Sequence, residues 1–210
     1  MRYAHGVLGD AIEATELHAY SETATTPCAV QSVTLPVALV FEDTAPRLVD
    51  LDADGRPEIL VVQSHRDLGA QLAVYGIASD GRGLALLATT PYIGRRHRWL
   101  AIIGAADLDG DGHMEIAYID RPHLARTLRI WRYDADTLTE VAAATGLTNH
   151  RIGEAHISSG IRDCGAGPDI LTADTGWTRL IATRFDGQSL TARDLGPWSP
   201  ESLATALSCH

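Results

Sequence analysis

Two short segments of the chain combine alternating aspartates with glycine and a closing glutamate. The first is Asp50-Leu51-Asp52-Ala53-Asp54-Gly55-Arg56-Pro57-Glu58. The second begins 57 residues later and is Asp107-Leu108-Asp109-Gly110-Asp111-Gly112-His113-Met114-Glu115. The alternation places three carboxylates on one side of a tight loop, and glycine permits the positive φ that such a loop needs. Hard oxygen ligands at this density suit Ca²⁺, which takes six to eight oxygens.

Each segment is therefore predicted to hold one structural Ca²⁺. An EF-hand is excluded, because its loop closes with a glutamate at position 12, where these segments have Val61 and Tyr118. The alternative for both segments is a turn rich in Asp and Gly that binds no metal. The predicted ligands are Asp50, Asp52, Asp54, Glu58 and the carbonyl of Arg56 for the first site, and Asp107, Asp109, Asp111, Glu115 and the carbonyl of His113 for the second.

The residues after each acidic segment also repeat, as short apolar and β-branched runs bounded by turn residues. Such runs are typical of β-strands, and the turn at 80–83 separates two of them. The predicted strands are 59–62, 72–75 and 84–87 in the first copy, and 116–119, 128–131 and 138–141 in the second.

Two weaker copies of the same unit flank these. A third copy runs from Asp163 to Asp169 and continues with predicted strands at 170–173, 180–183 and 190–193. A fourth opens the chain, where His5 and Glu13 have the spacing of the first and last acids, and a hairpin of 16–20 with 30–35 follows. We predict no metal in either copy, because His5, Gly9 and Ala11 replace acids in one, and Gly165 and Gly167 in the other.

The pattern Asp-x-Asp-x-Asp-Gly-x-x-Glu, followed by a strand and repeated at this spacing, resembles the FG-GAP and VCBS-type repeats of integrin α-chain propellers and of many bacterial exported proteins. The resemblance covers about residues 38–198. It implies that the matching acids ligate Ca²⁺ in the loop between the first and second strands of a blade. Family propellers often have seven blades, so three or four copies here imply a compact ring or part of a larger assembly.

The expected fold is all-β, a small β-propeller of about four four-stranded blades that is possibly incomplete or irregular, with a short C-terminal helix. We expect a single repeat domain over 1–198, with blades at roughly 1–40, 41–94, 95–150 and 151–198. The tail at 199–210 is predicted to be helical, because Ser199 is suited to be an N-cap and Pro200 to the first helical position.

Composition limits the classes of function. The net charge of −10, with all 17 basic residues being arginine, argues against a nucleic-acid binder, which needs a basic surface. No apolar run is long enough to span a membrane. No signal peptide is recognisable at Met1, so the expectation is either a periplasmic or secreted protein whose targeting segment was removed, or a cytoplasmic one.

The three cysteines, Cys28, Cys164 and Cys209, fit neither a zinc site nor a CxxC redox pair. A disulfide between Cys164 and Cys209 would attach the C-terminal tail to the last repeat, if the protein is exported. The alternative is three buried free thiols.

Loops predicted on the face opposite the acidic segments are rich in Arg and His. The first hypothesis is a calcium-binding module whose face binds a protein, a glycan or a small anionic ligand. The alternative hypothesis is a hydrolase- or lyase-like enzyme with an Arg/His-lined pocket, although no catalytic motif is present. Ordinary solvated loops, with Arg paired to carboxylates, would also explain the composition. The candidate residues are His65, Arg96, His97, Arg98, His123, His150, Arg151 and Trp177.

Overall fold

Antiparallel strands make up nearly all the regular structure in the computed structural model, which describes residues 5–9, 12–20, 30–78 and 83–210. Cys28 and most of the turn at 80–83 lie outside the described residues. The elements are β1 (Glu16–Tyr20), β2 (Val30–Thr34), β3 (Leu39–Phe41), β4 (Arg47–Val49), β5 (Glu58–His65), β6 (Gly69–Ile77), β7 (Leu84–Thr89), β8 (Leu100–Ala106), β9 (Glu115–Asp120), β10 (Thr127–Asp134), β11 (Thr137–Thr145), β12 (Leu147–Thr148), β13 (Gly160–Asp163), β14 (Pro168–Asp174), β15 (Arg179–Phe185), β16 (Leu190–Pro197) and α1 (Pro200–Leu207).

The strands form four sheets that follow one another along the chain. Within the described residues, sheet 1 is the antiparallel pair β1–β2. Sheet 2 has the order β3-β5-β6-β7, with β4 also paired to β5. Sheet 3 is the meander β8-β9-β10-β11, and sheet 4 has the order β12-β14-β15-β16, with β13 also paired to β14. The all-β fold of propeller-type, blade-like sheets with a short C-terminal helix, predicted from the sequence, is confirmed.

The first strand differs between the three large sheets. In sheet 3 it is continuous and has a register shift between Ile102 and Gly104. In sheet 2 it is split into β3 and β4, which pair with opposite ends of β5. In sheet 4 it is split into β12 and β13, which pair with opposite ends of β14. The two interruptions place polar residues, including Glu42 and His150, in buried positions.

Apolar residues fill the spaces between successive sheets. Leu72 of sheet 2 belongs to the same buried cluster as Leu100 of sheet 3, and Ile130 of sheet 3 belongs to the same cluster as Phe185 of sheet 4. β8 accordingly contacts β5 and β6 of sheet 2 and β13 of sheet 4. Full burial of one such side chain contributes about 1.5–3 kcal/mol, so these contacts hold the sheets together.

Helix α1 covers sheet 4 at the C-terminus. Ser199 is its N-cap and forms a capping box with Ser202, as the sequence predicts for the cap. Leu203 and Ala206 pack in one cluster with Leu171 and Leu180. A disulfide joins Cys164 to Cys209, with 5.6 Å between their Cα atoms, so the helix is attached to the loop between β13 and β14.

The N-terminal segment, residues 5–9, reaches the last sheet. Val7 is buried among residues of sheets 2 and 3, and its carbonyl accepts a hydrogen bond from the Gly153 N–H at 3.2 Å. The Nδ1 atom of His5 lies 2.7 Å from Oε1 of the fully buried Glu42. The segment therefore connects sheet 2 with the loop that separates β12 from β13.

Candidate metal centre

The two acidic segments, here called acid loop 1 (residues 50–58) and acid loop 2 (residues 107–115), connect the first and second strands of sheets 2 and 3. Each loop is fastened at its end by its glutamate. Glu58 Oε2 accepts a hydrogen bond from the N–H of Leu51 at 2.8 Å, and Glu115 Oε2 accepts one from the N–H of Leu108 at 2.9 Å. Both glutamates are buried, so each carboxylate holds the start of its loop against the sheet.

Three acids converge in each loop. Each acid offers one carboxylate oxygen, and the three oxygens of a loop lie within 4.8 Å of one another. This geometry could hold a metal ion. In acid loop 1, Oδ1 of Asp50 is buried and has no hydrogen-bond partner among the described residues. An unpaired buried oxygen carries a desolvation cost, which a cation in the loop would offset. The converging acids are Asp50, Asp52 and Glu58 in acid loop 1, and Asp107, Asp109 and Glu115 in acid loop 2.

The third aspartate of each loop lies outside this convergence. Asp54 accepts hydrogen bonds from Nε and NH2 of Arg56, at 2.9 and 2.5 Å. Asp111 accepts one from the N–H of His113 at 2.9 Å. Ligation by Asp54, by Asp111 and by the carbonyls of Arg56 and His113 stays a prediction.

Burial and mutual repulsion act on the closing glutamates. The pKa of Glu58 is raised, chiefly by burial and further by the charges of Asp52 and Asp54. The pKa of Glu115 is also raised by burial, although Arg132 opposes that shift. An acid whose pKa is raised in this way gains from a nearby positive charge, so both loops favour a cation.

Arg132 is a site residue that the sequence analysis missed. It extends from β10 into acid loop 2, where its Nε donates to Glu115 Oε1 at 2.7 Å and its NH2 donates to Asp109 Oδ2 at 2.6 Å. Its NH1 lies 2.9 Å from Asp111 Oδ2. Only the cross-strand register, which pairs Arg132 with Glu115, could have identified it.

The third loop, residues 163–169, is the one for which no metal is predicted. Hydrogen bonds hold it in place. Oδ1 of Asp163 accepts from the N–H groups of Gly165 and Gly167, at 2.8 and 3.1 Å. Arg184 donates to Asp169 and to loop carbonyls. Arginine therefore fills the place between the remaining acid and the loop backbone.

The structure brings part of the predicted Arg/His face together. His97, Arg98 and His123 line a cleft of about 40 Å³, together with His5 and Arg121. Arg96 lies next to them and donates from Nε to His97 Nε2 at 3.3 Å. A cleft of this volume has space for only a few water molecules.

His123 and His150 lie within hydrogen-bond distance, with 2.9 Å between Nε2 of His123 and Nδ1 of His150. The Nε2 atom of His150 faces the carbonyl oxygen of Glu154 at 2.8 Å. A carbonyl only accepts, so His150 Nε2 carries the hydrogen, and neutral His150 accepts at Nδ1 from His123. Burial lowers the pKa of His123 to about 4 and also lowers the pKa of His150.

The other residues of the predicted Arg/His face lie outside the cleft that His97, Arg98 and His123 line. The guanidinium of Arg151 lies 4.1 Å from the ring centroid of Trp177 and 4.7 Å from that of Trp198, which is cation–π geometry. His65 is in the turn between β5 and β6, where its Nδ1 accepts from the N–H of Asp67 at 3.0 Å. The eight predicted residues thus form a cleft group, an arginine–tryptophan group and a turn, rather than one pocket.

A larger cleft of about 220 Å³ was not anticipated from the sequence. It lies between the residues after β7 and the outer part of sheet 3. Its lining combines aromatic rings with Asp120, which is held by Arg121 at 2.8 Å and by Arg129 at 3.0 Å. The lining residues come from separate strands and loops, so no local motif reveals them; they are Pro91, Tyr92, Ile93, Tyr118, Asp120, Arg121, Arg129, Trp131 and Glu140.

Comparison with known proteins gives one family and no curated relative. No curated protein matches the chain. No helix in the described part of the chain has the length and hydropathy needed to cross a membrane. Residues 50–118 match the family model described as FG-GAP-like repeat, a segment that begins with acid loop 1 and includes all of acid loop 2. The match agrees with the geometry of both loops and supports an FG-GAP-type repeat over residues 50–118.

Proposed function

We propose that the protein is a calcium-stabilised module that binds or scaffolds a partner and performs no catalysis. The observation that carries this proposal is the convergence of three carboxylates in each of two equivalent loops. An FG-GAP-like repeat suggests a non-catalytic binding or scaffolding module, and the small volume of the Arg/His cleft agrees with that suggestion.

Calcium is the cation that suits these loops best. All the converging ligand atoms are carboxylate oxygens, whereas structural zinc sites are built from Cys and His. Mg²⁺ demands near-ideal octahedral geometry, while Ca²⁺ accepts irregular sets of six to eight oxygens. A loop with bidentate carboxylates and backbone carbonyls can supply such a set.

The proposed location is the periplasm or the extracellular space. The Cys164–Cys209 disulfide fits an extracellular protein, because disulfides persist in oxidising compartments. Free calcium is abundant there, so sites with dissociation constants of about 10⁻⁴–10⁻³ M would be filled.

For the partner we propose an anionic group, such as a carboxylate, a phosphate or an acidic glycan, at the cleft lined by His97, Arg98 and Arg121. Arg96 is exposed beside this cleft. The charge of Arg121 is balanced by Asp120, so Arg96 and Arg98 supply the positive charge that, on a protein of net charge −10, would direct an anion to this face. Trp99 is also in the lining of this cleft. Titration with sodium phosphate, followed by the intrinsic tryptophan fluorescence, should show saturation that Arg98→Gln weakens; no saturable change in the unmodified protein would remove the cleft from the proposal.

Thermal unfolding tests the calcium proposal. The melting temperature should be higher in excess CaCl₂ than in excess EGTA, because an ion bound only to the folded state stabilises it. Asp52→Asn should reduce the difference, since Asp52 belongs to the converging set. Asp67→Asn, which removes an exposed acid outside both loops, is the matched control and should leave the difference intact. Equal melting temperatures in calcium and EGTA for the unmodified protein would overturn the proposal.

A further inference from the structure

One position in each large sheet faces the closing acid of its loop from the neighbouring strand. In sheet 3 this cross-strand pair is directly in register. In sheets 2 and 4 it lies one residue beyond the last paired positions. The residue facing the acid differs in each sheet, and the pairs are Glu58–Gly76, Glu115–Arg132 and Asp169–Arg184.

In acid loop 2 this position supplies a cation from the chain itself. The guanidinium of Arg132 contacts Asp109, Asp111 and Glu115, with distances of 2.6 to 2.9 Å. Two of these three acids belong to the set that could hold a metal. The guanidinium therefore uses oxygens that a bound ion would need.

In the third loop, arginine contacts the backbone carbonyls of the loop as well as the closing acid. Arg184 contacts Asp169 Oδ1 at 2.8 Å, and donates to the carbonyls of Ala166 and Gly167 at 2.7 and 3.1 Å. A carboxylate together with loop carbonyls is a ligand set that also suits Ca²⁺. The inner acids are missing from this loop, and Arg193 also donates to Asp169 Oδ2 at 3.0 Å, so arginine charges balance the acid that remains.

In sheet 2 the residue that faces the closing acid is Gly76. A larger side chain at this position would have to displace neighbouring atoms. A Cβ atom there would lie 2.6 Å from Cδ1 of Leu87 and 3.4 Å from Oε1 of Glu58. The nearby Arg56 is paired with Asp54. Asp50 Oδ1 consequently stays buried and unpartnered among the described residues.

We propose that Arg132 is a tethered substitute for the metal ion, so that acid loop 1 binds Ca²⁺ tightly and acid loop 2 binds it only by displacing the guanidinium. The inference rests on the proposed calcium function of acid loop 1. Its physical basis is competition, because Arg132 and Ca²⁺ cannot both occupy the carboxylates of Asp109 and Glu115. Arginine does not lose its proton at accessible pH, so only a high calcium concentration displaces it.

Calorimetric titration with CaCl₂ alone tests this inference. The unmodified protein should show one tight site and, at most, one much weaker site. Asp52→Asn should remove the tight site and leave only weak binding. Asp52→Asn/Arg132→Gln should then bind calcium about tenfold or more tightly than Asp52→Asn, since the competing positive charge has gone. Asp52→Asn/Arg129→Gln removes a charge from the same strand outside the loop and should resemble Asp52→Asn.

The outcomes separate the inference from the proposal on which it rests. If the unmodified protein binds two calcium ions with affinities within about threefold of each other, and Asp52→Asn still binds one ion with that affinity, Arg132 does not compete and the inference is wrong. The same conclusion follows if Arg132→Gln, folded by circular dichroism, gives no tightening. If the unmodified protein shows no calcium binding that Asp52→Asn removes, the calcium function itself fails. Since Asp52→Asn alone can overturn the inference, the test does not depend on the folding of the Arg132 variant.

Discussion

The Nε atom of Arg132 donates to Oε1 of Glu115 over 2.7 Å, at a register position where sheet 2 has Gly76 on β6. Two loops with nearly the same sequence therefore differ in charge balance. The difference comes from a neighbouring strand, which neither loop motif includes.

The closing glutamates should respond in opposite ways to neutralisation in the absence of calcium. Glu115→Gln should lower the free energy of unfolding by about 1–3 kcal/mol, because it weakens a charge-assisted hydrogen bond from Arg132. Glu58→Gln should change it by less than about 0.5 kcal/mol or increase it, since burial and the neighbouring acids disfavour the charge of Glu58.

Urea denaturation of both variants in EGTA would measure these changes. In excess calcium, Glu58→Gln should become the more damaging variant, because acid loop 1 would then lose part of its ion's ligand set. A larger loss for Glu58→Gln than for Glu115→Gln in EGTA would contradict the assignment of Arg132.

The imidazole pair should make stability depend on pH. Burial and the neighbouring His150 lower the pKa of His123 to about 4, whereas an unfolded histidine titrates near 6.5. The unfolded state therefore takes up this proton first, and the stabilising effect present above pH 6.5 is lost as the pH falls towards 4. Because His123 is only partly buried, the loss should be about 1–2 kcal/mol.

Unfolding free energies at a series of pH values would show the effect as a difference between the unmodified protein and His123→Gln. That difference should shrink as the pH falls from about 6.5 to about 4. His18→Gln, which removes an exposed histidine from β1, is the control. A difference that is constant with pH would show that His123 is not held neutral.

Reduction of the disulfide should destabilise the C-terminal end. Cys164 and Cys209 are 45 residues apart, and closing such a loop stabilises a folded chain by about 2–4 kcal/mol. Limited proteolysis should cut near α1 sooner in the reduced protein than in the oxidised one. A Cys164→Ser/Cys209→Ser variant should behave like the reduced protein and be insensitive to reductant; equal cleavage in all states would show that packing of α1 alone is sufficient.

Backbone strain in acid loop 1 should be removable. Ala53 has a φ of 60°, at the position where acid loop 2 has Gly110 with a φ of 80°. A positive φ is unfavourable for alanine because of its Cβ atom. Ala53→Gly should therefore raise the free energy of unfolding by about 0.5–1 kcal/mol. Gly110→Ala is the reciprocal variant and should lower it by a similar amount, as measured by urea denaturation; a loss of stability in Ala53→Gly would contradict the strain argument.

Sequence patterns were sufficient to predict the strands of the meanders and the positions of the acid loops. The predicted run at 59–62 lies within β5 and the run at 128–131 lies within β10, because turn residues bound both runs. The division of the first strand of sheet 4 was not predicted. The polar residues around His150 resemble an ordinary inter-sheet loop, and only tertiary packing shows that they interrupt a strand.

The role of Arg132 could not be predicted, for a related reason. Arg132 follows Glu115 by 17 residues, whereas Gly76 follows Glu58 by 18 and Arg184 follows Asp169 by 15. The turns between the second and third strands differ in length, so equivalent positions do not share one sequence offset. Cross-strand register, which depends on those turns, is therefore needed to bring the charge and the loop together.

The hydrogen bond between Val7 and Gly153 has a consequence for how the chain acquires its structure. Val7 is synthesised well before Gly153, which lies in the loop between β12 and β13 of sheet 4. This hydrogen bond can therefore form only after the chain of sheets 2 and 3 has been synthesised. Contacts so distant in sequence are slow to form, so the docking of residues 5–9 against this loop should be a late event of folding.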